Sequence, residues 1–432
     1  MQMGNQTRRQ FVRRAAAAAA LGLATAACTG APMLSRSKPR IVVVGGGVGG
    51  TSVVRRLAAD HPGALDIVLL EPDRTYTTCF YSNLFVGDLR ELEVLQFDYG
   101  RVAALPGVRV VHERAAAIDV AARQVLLGDG TAFPYDRLVL SPGIDLDYDS
   151  VPGWSREAAR IMPHAWRAGP QTALLKRQLD AVPDGGLIVM LAPPNPYRCP
   201  PGPYERVSMM ARALTESGRT QTRIVIVDPK RNFSKQPLFQ QGWERHYPGM
   251  IEWLSPMIHG GVQQVDPATM TVETGFETYR NADLVNVIPR QTAGAIAVAA
   301  GLTGEDDYCP IDPATMHSTL DPYVFVLGDS CIAGDMPKSA FSAHSQAQVV
   351  AAGIAHELLD AAPVRATYRN RCWSLIADAD SVFVGGWYQP ADGRISQTES
   401  EISALEDSGA QRQTNYADSA AWYLGLTSEL YG

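Results

Sequence analysis

The sequence predicts an α/β chain of two dinucleotide-binding-type domains with a small C-terminal domain. Three observations predict it: a complete strand–turn–helix–strand unit at residues 40–71, a second alternation of strand and helix patterns from about 151 to 275, and a late apolar strand, Val324 to Leu327, that runs into Gly328-Asp329. At 432 residues, with 46% hydrophobic and 19% charged side chains, the chain is long enough for two or three cores.

The first unit is the most explicit. Arg40-Ile41-Val42-Val43-Val44 is a β-branched run of strand type. It passes directly into Gly45-Gly46-Gly47-Val48-Gly49-Gly50 and then a helical stretch, Thr51 to Ala59; a second strand, Asp66 to Leu70, ends in Glu71. Gly45 and Gly47 permit the tight turn and a close approach to a pyrophosphate, and Gly50 lets helix and strand pack. The helix N-terminus then faces the phosphates, and Glu71 is placed to accept from a ribose hydroxyl. The glycine motif alone is weak; strand, helix and acid together make a dinucleotide site.

Further along, Arg123 to Phe133 reads as a hairpin around Gly128-Asp129-Gly130, and Tyr135 to Gly143 as a strand ending in a turn. Strands follow at 187–191 and 223–228, with a return strand at 283–288 and a helix at 342–359. An apolar strand ending in Gly-Asp is typical of two-dinucleotide flavoproteins, where the aspartate, here Asp329, hydrogen-bonds the ribityl chain of FAD. The alternative is an ordinary strand with a turn aspartate. The predicted boundaries are 38–150 and 279–360 for a discontinuous FAD-binding domain, 151–278 for a second nucleotide-type domain, and 361–432 for the C-terminal domain.

Residues 1–32 read as an export signal rather than fold. Thr7-Arg8-Arg9-Gln10-Phe11-Val12 is a twin-arginine pattern ahead of a short apolar run, which predicts a periplasmic protein; Cys28 is a weaker candidate for lipid attachment. Without this segment the net charge is −11, which argues against nucleic acid as a partner. No apolar stretch is long enough to span a bilayer. Six cysteines are too few for a disulfide scaffold, but a pair of them can persist oxidised outside the cytoplasm. The eight histidines show no paired ligand spacing, so no metal site is expected. No C-x-x-C-H occurs, so no haem c is expected on this chain.

The second nucleotide-type turn is unusual. Ala192 to Glu205 reads A-P-P-N-P-Y-R-C-P-P-G-P-Y-E, where a diphosphate cradle requires glycines and free N–H groups. Six prolines fix φ and donate nothing, so a nicotinamide nucleotide is not expected there. Such a loop could instead hold the Cys199 sulfur at a fixed point near a flavin, or it could be a structural loop with an inert thiol.

Tyr76-Thr77-Thr78-Cys79-Phe80-Tyr81-Ser82-Asn83, Arg198 to Arg206, Gly328 to Ala333, Met336 to Ser339 and Asn370-Arg371-Cys372 together resemble the flavoprotein chain of flavocytochrome c sulfide dehydrogenase, from about residue 39 onward. The resemblance implies a glutathione-reductase-like fold close to that of sulfide:quinone oxidoreductases. It implies a thioether from Cys79 to the 8α-methyl of FAD, a redox-active disulfide between Cys199 and Cys372, proton handling by Glu205, and Trp422 near the flavin. It implies oxidation of hydrogen sulfide to sulfur or polysulfide, with electrons passed singly to a c-type cytochrome subunit that carries the haem. Phe341 and His344 depart from the family pattern and are read as neutral. Two rivals stand beside this reading. A sulfide:quinone oxidoreductase needs a quinone pocket and usually an amphipathic C-terminal anchor, whereas the tail from Asn415 to Gly432 has two acids and no lysine or arginine. A non-catalytic flavin-fold protein would not need Cys79, Cys199 and Cys372 in these contexts.

Overall fold

The structure, a computed structural model, describes residues 38–432; the twin-arginine segment and Cys28 lie outside the described residues. A five-stranded parallel sheet has the order Val324–Val326, Arg137–Leu140, Arg40–Val44, Asp66–Leu70, Val108–Val111. Its central strands are unbroken apolar runs, with Ile41, Val42, Val43, Leu138, Val139 and Leu140 fully buried, as expected of a parallel sheet covered on both faces. Each such side chain contributes roughly 1.5–3 kcal/mol relative to exposure. The helix Val48–Asp60 packs on Ala340–Leu359, so the sheet's first and last connections lie together.

A second parallel sheet has the order Ile251–Leu254, Arg223–Val227, Leu187–Leu191, Leu284–Val287. Counted within each half, both sheets run third, second, first, fourth strand. Both halves also insert a three-stranded antiparallel meander before the fourth strand, at 115–134 and at 262–279. The architecture is thus repeated where the sequence is not.

Tyr368–Ala377, Asp380–Ala391 and Arg394–Ile402 form an antiparallel sheet. The long helix Gly409–Tyr431 follows, opened by a capping box in which Ser408 and Gln411 satisfy each other's backbone N–H. Its far end returns to the first domain: the Arg55 Nε–H donates to the Leu430 carbonyl at 2.8 Å and the Tyr431 hydroxyl to the Gly46 carbonyl at 3.2 Å. The differences from the sequence reading are at boundaries. The first helix begins at Val48 rather than Thr51, because Gly49 and Gly50 accept helical backbone angles that their low helix propensity argues against.

Candidate active site

One cavity of about 1190 Å³ opens over the first domain, and Gly45, Gly47, Glu71, Cys79, Cys199, Glu205, Asp329, Cys372 and Trp422 all line it. Residues up to 377 positions apart in the chain therefore face one space. Gly50 does not line it. A Cβ on Gly50 would sit 2.0 Å from the Gly45 carbonyl oxygen, so this glycine serves the contact of helix and turn.

The glycine turn is built to be open. Gly45 has φ +101° and a Cβ there would meet the Ser141 carbonyl oxygen at 2.2 Å, which excludes any other residue. The helix after it, Val48–Asp60, has Gly47 at its N-cap and so no side-chain cap, leaving its first-turn N–H groups for an anion. Glu71 braces the turn: Oε2 accepts from the Gly46 N–H at 2.8 Å and Oε1 from the Asp73 N–H at 3.0 Å, with lone pairs to spare for a hydroxyl. The Gly46 carbonyl receives three hydroxyls, those of Thr51 at 2.8 Å, Tyr99 at 3.0 Å and Tyr431 at 3.2 Å. Tyr99 and Tyr431 were not legible as site residues, since Tyr431 lies 385 positions from its partner.

The proline turn is closed. Of the N–H groups that open the helix Gly202–Glu216, those of Gly202 and Tyr204 donate to Cys199 and Pro201 carbonyls at 2.8 and 3.2 Å. Asp228, at the end of the neighbouring strand, occupies the place that Glu71 has in the first half. It is fully buried and held by the Tyr204 hydroxyl at 2.6 Å, the Trp253 indole at 2.9 Å and the Lys230 ammonium at 2.7 Å. Cys199 itself has φ +57°, a left-handed conformation that costs a side-chain-bearing residue on the order of 1 kcal/mol. Its N–H donates to the Lys338 carbonyl at 2.8 Å, and the Arg198 N–H to Gln291 at 2.9 Å. The first domain thus pins the thiol-bearing loop at two successive residues.

Cys199 and Cys372 are both free thiols. Burial pushes the Cys199 thiol well up, and Cys372 and Glu205 beside it push the same way. Burial also raises the Cys372 thiol, but Lys235 and the Asn370 amide pull it back. Glu205 does not pair with Arg206. Its Oε1 accepts from the Leu375 N–H at 2.9 Å and its Oε2 from Asn83 at 2.8 Å, and burial raises its carboxyl above the usual range. Arg206 is 2% exposed and donates to Asn83, Asn286 and the His164 and Ala165 carbonyls. Burial lowers it to about 9. Cys79 lies on the wall with Arg198, whose guanidinium also approaches Asp329 at 3.8 Å. Trp422 stacks on Phe341 at 5.6 Å and meets Phe80 and Trp373 at 5.6 and 5.7 Å. Phe341 therefore has a place on the cavity wall beside Trp422.

A flavin dinucleotide fits this cradle. Asp329 Oδ1 is buried without a partner, which is costly for a carboxylate unless a ligand donates to it, and the glycine turn offers the N–H groups a pyrophosphate needs. Among the described residues no three His, Cys, Asp or Glu side chains converge as a metal site, and no helix is long and apolar enough to cross a membrane.

Comparison with known families agrees with this geometry. Residues 172–289 match the model for the central part of the sulfide dehydrogenase (flavocytochrome c) flavoprotein chain, and residues 364–431 match that for the flavocytochrome c sulphide dehydrogenase flavin-binding domain. Residues 39–166 match the pyridine nucleotide-disulphide oxidoreductase model. The chain belongs to the flavocytochrome c sulfide dehydrogenase flavoprotein family. In fold it is similar to the sulfide:quinone oxidoreductase of Aquifex aeolicus, at 16% identity and TM-score 0.70, over 90% of this chain and 92% of that one. A ferredoxin reductase from Rhodopseudomonas palustris is similar at 18% identity and TM-score 0.62, over 81% and 82%. An NAD-dependent persulfide reductase from A. fulgidus is similar at 14% identity and TM-score 0.61, over 88% and 77%. The chain is thus an FAD-type oxidoreductase of a sulfide-oxidising family.

Lys235, Asn83, Arg198, Tyr431 and Phe341 gained no role from the sequence. Asn83 and Arg198 stand inside the quoted motifs. Lys235 sits in Phe233-Ser234-Lys235-Gln236, where no local pattern distinguishes it from a surface lysine.

Proposed function

We propose that the protein is an exported flavoenzyme that oxidises hydrogen sulfide to sulfur or polysulfide and passes the electrons to a c-type cytochrome chain. The observation that supports this best is the meeting of Cys199, Cys372 and Glu205 on the wall of the cavity that also holds Cys79, Asp329 and the glycine turn. In this reading Cys199 and Cys372 cycle between dithiol and disulfide. Hydrosulfide attacks one sulfur, an S–S bond forms to it as the bridge breaks, and the other sulfur leaves as thiolate. Glu205, held between Asn83 and the Leu375 N–H, takes the proton released as the substrate sulfur gives up two electrons. Burial raises its pKa above the usual carboxylate range, which favours its taking up a proton. FAD bound in the cavity supplies a two-electron acceptor that can be re-oxidised one electron at a time, which matches a haem-bearing partner. Gly45, Gly47 and the N-terminus of Val48–Asp60 would hold its pyrophosphate, Asp329 its ribityl chain, and Cys79 its 8α carbon by a thioether. The sealed Asp228 and the proline turn argue against a nicotinamide nucleotide as reductant.

A quinone acceptor is the second reading, favoured by the fold shared with the Aquifex aeolicus enzyme. Against it, the end of the C-terminal helix is buried on the glycine turn through Leu430 and Tyr431, rather than presented as an amphipathic anchor. Mass spectrometry of the tryptic peptide containing Cys79, together with sulfide-dependent reduction of cytochrome c, tests the proposal. FAD mass on that peptide and cytochrome reduction are expected; quinone reduction with no cytochrome reduction would reverse the ranking.

A further inference from the structure

Lys235 is a buried cation that the reaction as described does not use. It is 5% exposed, caps the helix Gln236–His246 and adopts φ +62°. Its three N–H groups are all spoken for: by the Cys372 carbonyl at 3.1 Å, the Ser374 hydroxyl at 2.8 Å and the Val382 carbonyl at 3.3 Å. None of these acceptors is a carboxylate, so the positive charge is solvated by the strand that bears Cys372 and by its neighbour Asp380–Ala391 but not neutralised by a hydrogen-bonded anion. Burial lowers its pKa to about 8, and Cys372, Glu205 and Cys199 act in the opposite direction. These three are the titrating groups around it, from the strand Tyr368–Ala377, the helix Gly202–Glu216 and the proline turn; Arg206 on the same helix is engaged elsewhere.

The Cys372 sulfur has a second support. Asn370 Nδ2 lies 3.6 Å from it. The Asn370 Oδ1 accepts from the Ser339 hydroxyl at 2.7 Å and the Ser342 hydroxyl at 3.2 Å and lies 3.5 Å from the same sulfur, so the amide can accept from the thiol through Oδ1 and donate to the thiolate through Nδ2. Cys199 is served less well: Lys235 acts on it less strongly than on Cys372, Arg198 favours a charge there, and Cys372 and Glu205 oppose one. The two thiols are therefore unequal.

We propose that Lys235 is a positioning residue that supplies the counter-charge for Cys372, so that Cys372 is the sulfur that leaves as thiolate and Cys199 the sulfur that is attacked and carries the persulfide. The inference rests on the sulfide-oxidation reading for its direction of attack, and on the geometry alone for the order of thiol acidity. In the step itself hydrosulfide's sulfur bonds to Cys199 Sγ and the Cys199–Cys372 bond breaks. Cys372 keeps the electron pair of that bond, the hydrogen stays on the new persulfide, and no electron leaves the protein. The thiol better stabilised as an anion is the better leaving group.

Two measurements on the full holoprotein test it. In the reduced protein, iodoacetamide labelling followed peptide by peptide across pH should modify Cys372 at lower pH than Cys199. Lys235→Met should slow Cys372 labelling at neutral pH by about tenfold or more, the effect of one pKa unit on thiolate fraction, while Cys199 labelling changes less and Lys235→Arg restores much of the rate. Labelling of Cys199 first in the unaltered protein overturns the inference, whether or not the variants fold. In the oxidised protein, hydrosulfide followed by iodoacetamide should leave the extra sulfur on the Cys199 peptide. Extra sulfur on Cys372 overturns the proposed direction while leaving sulfide oxidation standing. Extra sulfur on neither peptide sinks the sulfide reading and with it the direction of attack, and the labelling order then judges Lys235 by itself.

Discussion

The glycine turn at Gly45–Gly50 and the proline turn at Pro193–Pro203 occupy the same topological place in two sheets of the same strand order, yet they are chemical opposites. The first leaves helix N–H groups free and exposes an acid, Glu71, to the cavity. The second spends its N–H groups internally and buries its acid, Asp228, beneath Tyr204, Trp253 and Lys230. The comparison teaches that a nucleotide-type half can keep its architecture while its phosphate end is turned over to holding a sulfur. The sheet and its core supply the stability, and the turn needs only to be rigid. A rigid turn is what the proposed exchange at Cys199 would require, since a disulfide tolerates little displacement of its sulfurs.

Breaking each side of the comparison should have a different consequence, the largest on the sulfur side. Cys199→Ser should keep the bound flavin's yellow colour and lose sulfide-dependent cytochrome reduction by on the order of 10³-fold or more, as expected when a covalent participant is removed; full residual turnover would refute its role. Gly45→Ala should strike the other turn, because a Cβ there meets the Ser141 carbonyl at 2.2 Å. Purified protein should be colourless or poorly folded, seen in the ratio of visible to ultraviolet absorbance. Glu205→Gln removes the proton acceptor but little volume, and turnover should fall by roughly 10²-fold. Glu205's raised pKa also places the acidic limb of the activity profile above the ordinary glutamate range, with activity lost as pH falls through it; the variant should lack that limb. Tyr204→Phe sharpens the closed side. It takes one donor from the buried Asp228 and should lower stability by about 1–3 kcal/mol in denaturant unfolding, with little change in sulfide turnover.

Much of this was legible in the chain. The glycine turn with its strand, helix and Glu71 announced itself because phosphate binding imposes local rules on backbone, and local rules leave local patterns. The prolines around Cys199 were equally plain, as a negative: they excluded a cradle. The proposed pairing of Cys199 with Cys372 rests on the family resemblance, since no spacing rule links residues 173 positions apart; the structure brings both thiols to one cavity. Lys235 was not legible at all. Its surroundings come from two strands more than 130 positions further along the chain that hold its ammonium, and nothing near it in sequence records that.

The sequence by itself determined the two nucleotide-type halves, the open first turn, the stiff second turn and which side chains are candidates for the chemistry. These follow from apolar periodicity and from the backbone limits of glycine and proline, which act over a few residues. The tertiary structure alone decided which of those side chains share a cavity, how Tyr431 reaches Gly46, and that Lys235 is held against the strand of Cys372. Burial and Coulomb forces act through space, so the environment of a sulfur is settled by whatever strand the fold brings beside it.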